Sequence, residues 1–146
     1  MAYVIGVDCG TSGTKTVLFD EKGTVISSVT IEYPMYQPKN GYAEQDPADW
    51  ANAMINTIKA VMTKSGVNKE DVAGVGIGCP GTVDGGTVLY SNNLDWHDFA
   101  MEEYLAQKTG LPIAVGNDAN VAALGEALAG CAKGAQSSVV VTLGTG

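Results

Sequence analysis

The stretch that most constrains this chain is Tyr3-Val-Ile-Gly-Val-Asp-Cys-Gly-Thr-Ser-Gly-Thr-Lys-Thr-Val-Leu-Phe19. An apolar run ends in Asp8, a tight turn carries Gly10, Thr11, Ser12 and Gly13, and a second apolar run leaves through Val17, Leu18 and Phe19. Two such runs around a glycine-rich turn predict a β-hairpin. Its loop has two readings. It is an ordinary hairpin turn, or it is an anion cradle, since glycines let backbone N–H groups converge on a charge with no Cβ in the way. In the second reading the Thr11, Ser12 and Thr14 hydroxyls add donors and Lys15 adds a charge. Asp8, at the strand end, is placed to hold Mg²⁺ through water, because that ion keeps most of its hydration and takes one or two carboxylates. The loop is not a Walker A motif: the spacing is absent, and it joins two strands.

Asp20-Glu-Lys-Gly23 predicts a turn, and Thr24 to Glu32 returns as a third antiparallel strand. Pro34 to Gly41 is polar and reads as loop. Asp46-Pro47 predicts a helix start, with Asp46 as N-cap and Pro47 at the first helical position. Trp50, Met54, Ile58, Val61 and Met62 give it a buried stripe, and Gly66 a C-cap. Val72 to Gly78 is a short apolar strand whose glycines predict close approach by a helix or a ligand. Asp84-Gly85-Gly86 is a turn flanked by a short extended pair. Asp98 is expected to cap a second helix, roughly Phe99 to Thr109, ended by Gly110. Ile113 to Val115 is a buried strand, and Asn117-Asp118 opens an alanine-rich third helix that can pack close to a sheet and runs to about Ala129. Ser137 to Leu143 predicts a last strand. The fold class is α/β: a mixed five-stranded sheet in the order βββαβαβα plus one extra C-terminal strand, with right-handed crossovers placing helices on its faces.

The 146 residues are the size of one domain, and a formal net charge of −8 argues against nucleic acid or an anionic membrane as partner. Cys9, Cys79 and Cys131 are far apart and odd in number, which disfavours a disulfide framework or a zinc site and fits a reducing cytoplasm. Neither a leader segment nor an apolar run of membrane-spanning length is visible.

Asp8-Cys-Gly-Thr-Ser-Gly-Thr-Lys15 resembles the first phosphate motif of the actin and sugar-kinase superfamily. Its spelling is that of FGGY carbohydrate kinases such as xylulokinase, and the likeness continues through Gly41-Tyr-Ala-Glu-Gln-Asp-Pro-Ala-Asp-Trp50. From about Gly74 the chain resembles a second family, the ROK sugar kinases and especially bacterial glucokinases. The segments are Gly76-Ile-Gly-Cys-Pro-Gly-Thr-Val-Asp84, Tyr90-Ser-Asn-Asn-Leu-Asp-Trp96, Gly110-Leu-Pro112, Gly116-Asn-Asp-Ala-Asn-Val-Ala-Ala-Leu-Gly-Glu126 and Val141-Thr-Leu-Gly-Thr-Gly146. The phosphate loop departs from the ROK spelling Asp-x-Gly-Gly-Thr, and the FGGY sugar-site motif with Gln and His is missing after Gly78. The two resemblances together imply a hybrid, FGGY-like over about 1–50 and ROK-like over about 74–146, joined between Trp50 and Gly74.

The resemblance implies an actin-like, ribonuclease-H-like lobe. It makes Asp118 the general base that takes a proton from a sugar hydroxyl and Asn117 a sugar ligand, with Pro80 and Gly81 at the sugar pocket. Asn and Asp are also preferred helix caps, and both roles fit Asn117-Asp118. ATP and Mg²⁺ are the implied cofactors. The phosphate-facing residues are Asp8, Gly10, Thr11, Ser12, Gly13 and Lys15, with Gly144, Thr145 and Gly146 as a second phosphate motif. By the same resemblance the zinc cluster, the sugar-binding Glu and His, and the nucleotide lobe lie beyond residue 146. Two expectations follow. The chain is the N-terminal lobe of an ATP-dependent sugar kinase, with glucose favoured over a ketose such as xylulose and little activity alone. Or it is a non-catalytic fragment that binds sugar or phosphate and self-associates as a homodimer. Glu126 reads as a solvated helix position and His97 as a surface loop residue. A ROK-type repressor is disfavoured, since no helix-turn-helix fits before Tyr3.

Overall fold

The computed structural model describes residues 2–36, 45–91 and 96–143. The chain runs β1 (Tyr3–Cys9), β2 (Gly13–Asp20), β3 (Val25–Glu32), α1 (Pro47–Ser65), a 3-10 turn (Lys69–Asp71), β4 (Val72–Cys79), β5 (Thr82–Asp84), β6 (Thr87–Ser91), β7 (Trp96–Phe99), α2 (Met101–Thr109), β8 (Ile113–Asn117) and α3 (Asp118–Ala129). A mixed five-stranded sheet has the order β3-β2-β1-β4-β8. Its first three strands form the antiparallel meander, and β4 and β8 lie parallel to β1.

The meander turns where Asp20 accepts hydrogen bonds from the Lys22 and Thr24 amides, at 2.9 and 2.8 Å, with Gly23 at φ 80°. Helix α1 begins and ends on its own sequence signals. The Asp46 carboxylate accepts from the Ala48 amide at 2.8 Å, and Gly66 at φ 71° closes the last turn onto the Met62 carbonyl. Its stripe of Trp50, Met54, Ile58 and Val61 is buried against Ile5, Val7, Leu18, Val75 and Ile77. A buried polar pin crosses this interface: Thr16 donates to the Thr57 hydroxyl at 2.7 Å, which donates to the Ala53 carbonyl at 2.8 Å. Met101, Leu105 and Leu111 extend the same core under α2.

Strand alternation makes the two faces of the sheet unlike. Val75, Ile77 and Cys79 face α1 and the core, while Gly74, Gly76 and Gly78 face the other way. Rows of small residues result, because Gly6 pairs with Gly76 and Gly76 with Ala114, and Gly78 stands between Asp8 and Gly116. That face is an open hollow of about 530 Å³, rimmed by Lys15, Phe19 and Val121.

Three expectations change. Asp98 does not cap the second helix. Trp96, His97 and Phe99 pair with Ser91, Tyr90 and Val88, which extends the predicted pair of strands into a three-stranded sheet β5-β6-β7. Burying Trp96 drives that pairing, and α2 starts only after Ala100. The extra strand at Ser137 to Leu143 is not formed in its described residues. Val139 and Leu143 are 91% and 94% exposed, and strand hydrogen bonds need a partner that this stretch does not meet. The close packing of α3 is confined to its first turns; Leu124 and Leu128 are exposed.

Candidate active site

The site forms at the edge of the sheet where β1, β4 and β8 end. Parallel strands of an α/β sheet open onto a ligand crevice at these carboxyl ends. Asp8 is the penultimate residue of β1, exposed on the open face, and is the cross-strand partner of Lys15 on β2. Asp118 follows directly on β8, as the first residue of α3. Between them lies Gly78 of β4. A Cβ there would sit 3.1 Å from Val121 Cγ2 and 3.4 Å from Asp118 Cα, and one at Gly116 would sit 2.6 Å from Val121 Cγ1. These two glycines therefore let the first turn of α3, with Asp118, settle onto the sheet. The helix predicted to approach the glycines of β4 is α3.

Asn117 holds the site together. Its Oδ1 accepts from the Asn120 amide at 3.1 Å and caps α3, while its Nδ2 donates to the Gly81 carbonyl at 2.9 Å. The cap role and the placement beside Pro80 and Gly81 hold together in one side chain. Gly81 has φ 112°, and a Cβ on it would run into the Tyr90 carbonyl, so only glycine fits. The Asp118 carboxylate accepts from the Ala119 amide at 2.8 Å.

Two buried thiols lie under the site. Burial pushes the Cys79 thiol up to about 12, with the Asp118 carboxylate adding to the effect. Cys9 is raised further, first by burial, then by Cys79 and the Asp8 and Asp118 carboxylates. Both carboxylates are thus felt by one thiol at the ends of β1 and β4.

The hairpin loop places Gly10, Thr11, Ser12 and Gly13 at the same edge. The Gly10 amide donates to the Gly13 carbonyl at 3.1 Å, and a Cβ on Gly13 would lie 2.7 Å from the Ile31 carbonyl oxygen. Thr14 is a correction. Strand alternation turns it to the α1 face, where it is fully buried beside Cys9 and Tyr33, and its hydroxyl makes no hydrogen bond of good geometry among the described residues. It cannot reach an anion at the loop.

Tyr33 and Gln45 were missed from the sequence. The Tyr33 hydroxyl donates to the Gly10 carbonyl, and Gln45 Nε2 donates to the Thr11 carbonyl at 2.6 Å. The one available signal was the aromatic pair Tyr33 and Trp50 flanking a polar segment. Gly144, Thr145 and Gly146 lie outside the described residues, as do Asn92 to Asp95. His97 is exposed on β7 and not in a loop, its ring 5.2 Å from that of Tyr90. The Glu126 carboxylate accepts from the Cys131 amide at 2.8 Å, which holds it below the ordinary carboxylate range. Among the described residues no cluster of three or more His, Cys, Asp or Glu forms a metal site, and no helix is long and apolar enough to cross a membrane.

A family model described as the ROK family matches residues 4–146. A glucokinase of Halalkalibacterium halodurans is 35% identical over 151 aligned residues, which cover 99% of this chain and 42% of that protein. A xylulose kinase of Bacillus subtilis is 40% identical over 75 residues, 51% of this chain and 15% of that protein. Among solved structures, a ROK family glucokinase from Streptomyces griseus in complex with glucose and AMPPNP superposes with a TM-score of 0.74 at 30% identity, covering 91% of this chain and 38% of that one. The chain thus spans less than half the length of these relatives.

Proposed function

The chain belongs to the ROK family, and on that footing we propose that it is the N-terminal lobe of an ATP-dependent sugar kinase, with glucose the favoured substrate. The observation that carries the reading is the placement of two carboxylates, Asp8 and Asp118, at the same sheet edge on either side of Gly78. Strands lie about 4.8 Å apart, so the ends of β1 and β8 are about 10 Å apart. That leaves room for a phosphoryl group meeting a hydroxyl between them.

In this reading Asp118 accepts the proton of the sugar hydroxyl as its oxygen attacks the γ-phosphate. Asn117 orients the sugar. One hydrogen of its amide nitrogen is committed to Gly81, and the second can donate to a sugar oxygen. Pro80 and Gly81 form the pocket wall beside it. Gly10 to Gly13 face the phosphates, with Lys15 adding charge, and Gly144, Thr145 and Gly146 are the second phosphate motif that the resemblance implies. A single exposed carboxylate at Asp8 suits Mg²⁺ held through water. When bound, that ion would neutralise charge on the phosphates. The lobe supplies one wall of the site and a second lobe would supply the other, so the lobe alone has little activity.

The likeness of about half of the chain to a xylulose kinase is in keeping with an FGGY-like first third within the ROK frame, and with it a ketose as the second substrate class. The exposed Val121, Leu124 and Leu128 of α3 and the exposed Val139 to Leu143 favour self-association of the isolated lobe as a homodimer. The test is a coupled assay of ADP release with glucose, mannose and xylulose, on this chain and on a complete kinase carrying it. Glucose-dependent release by the complete kinase is expected; release with no sugar tested would overturn the reading.

A further inference from the structure

We infer that Cys9 and Cys79 form a binding site for a soft divalent metal ion that takes two ligands in line, with mercury(II) as the ion it fits. The two thiols are far apart in the sequence, and the fold makes them neighbours. Cys9 ends β1 and Cys79 ends β4. These strands run parallel with Asp8 opposite Gly78, so the next residues, Cys9 and Cys79, stand side by side. Alternation turns both toward α1, in line with Ile5 and Val7 on one strand and Val75 and Ile77 on the other. Both are buried in the same core, and both are free thiols.

The spacing decides what such a pair can hold. Side chains on neighbouring strands leave the backbone about 4.8 Å apart. The β-carbons of a disulfide lie closer, about 3.8 Å apart, so direct oxidation has to pull the strand ends together. A metal–thiolate bond is about 2.3 Å long, so one ion held in line between two sulfurs spans about 4.6 Å and leaves the strands where they are. Ligand number narrows the ion. Zinc takes four ligands, and among the described residues no third His, Cys, Asp or Glu joins these two. Soft thiolates select soft cations. Charge narrows it further. The ion displaces both thiol protons to water, and a divalent ion with two thiolates is neutral, whereas a monovalent one leaves a net negative charge buried in the core. Binding gives up one contact, the hydrogen bond that the Cys79 thiol donates to the Pro80 carbonyl at 3.4 Å. Because each cysteine is the last residue of its strand, fraying of the two strand ends admits the ion without opening the core. Once bound, the ion ties β1 to β4 beside Asp8 and Gly78.

The test uses the whole chain with Cys131→Ser, which removes the exposed thiol. Mercury(II) chloride is added, and free cysteine is then titrated in as a competing monothiol. Native mass spectrometry counts the ions, and Ellman's reagent counts the thiols left after unfolding. One ion per chain is expected, with the mass of one mercury less two protons, no reactive thiol after unfolding, and an unchanged far-ultraviolet circular dichroism spectrum. Adding Cys9→Ser or Cys79→Ser leaves a single ligand. Each such chain is expected to lose the ion at about 10²–10⁴-fold less cysteine than the pair, the gain of two linked ligands over one. Zinc chloride at the same concentration is expected to leave the chain unloaded. Two mercury ions per chain, loading that unfolds the chain, loading by zinc, or a pair that yields its ion to cysteine as readily as one thiol does would each overturn the inference. If a single-ligand chain does not fold, the ion count, thiol count and circular dichroism of the Cys131→Ser chain decide.

Discussion

Asp118 is both the first residue of a helix and the proposed base, and a substitution separates the two. Asp118→Asn preserves size and capping chemistry but cannot accept the proton. In a complete kinase carrying this lobe it is expected to lower turnover by about 10²–10⁴-fold, the usual worth of a positioned base, with sugar affinity changing much less. Unchanged turnover would leave Asp118 a cap alone. The thiols offer a second test. Cys131 is exposed, while Cys9 and Cys79 are buried. One thiol is expected to react with Ellman's reagent in the native chain and three after unfolding. Burial raises both buried thiols, Cys79 to about 12 from an ordinary value of 9.0. The native state therefore keeps protons that the unfolded chain gives up. This stabilisation is complete below about pH 9 and is lost as pH climbs toward 12. Urea midpoints should hold steady from pH 7 to about 9 and fall above it, and Cys79→Ala should flatten the fall.

At the scale of elements, α1 is joined to β2 by the Thr16–Thr57 pin, and α3 to β4 by the missing side chain of Gly78. Thr57→Val leaves the buried Thr16 hydroxyl without its acceptor and should cost about 1–3 kcal/mol. Replacing Thr16 with Val as well removes the orphan, so the double variant should be more stable than the sum of the singles predicts. Denaturant titration of all four proteins measures that coupling. Gly78→Ala places a methyl against Val121 and the Asp118 backbone and should cost about 1–3 kcal/mol as α3 shifts outward. A melting temperature equal to the parent's would show that α3 is not seated by this contact. Helix α1 was legible to the residue, because Asp46, Pro47 and Gly66 act on their own neighbours. Helix α2 was placed two residues early, because Trp96 and Phe99 are claimed by a strand partner in β6.

For the whole molecule, the exposed apolar residues of α3 and of Val139 to Leu143 are the least settled surface. A stretch with a high apolar content and no partner is a template for another chain. Light scattering coupled to size exclusion is expected to show mass rising with concentration, and replacing Leu124 and Leu128 with Glu should restore the monomer. A monomer at every concentration would rule out self-association through this surface.

What the sequence determined by itself is what neighbours along the chain decide. The glycine loop, the Asp20 turn and the capped helix all follow from local backbone chemistry, as does the alternation that makes β4 apolar on one side and glycine on the other. The Asn117-Asp118 pair was legible as well, since a strand end and a helix start are both local. Tertiary structure decided the rest. Thr14 lost its loop role because the α1 face of β2 buries it. The last predicted strand had the right residues, but a strand exists only through its hydrogen-bonded partner. Tyr33 and Gln45 reach the loop from 23 and 34 residues away. Hydrogen bonds across such separations leave no periodic trace in a sequence, because any residue of the right length and donor chemistry could make them once the fold brings it there.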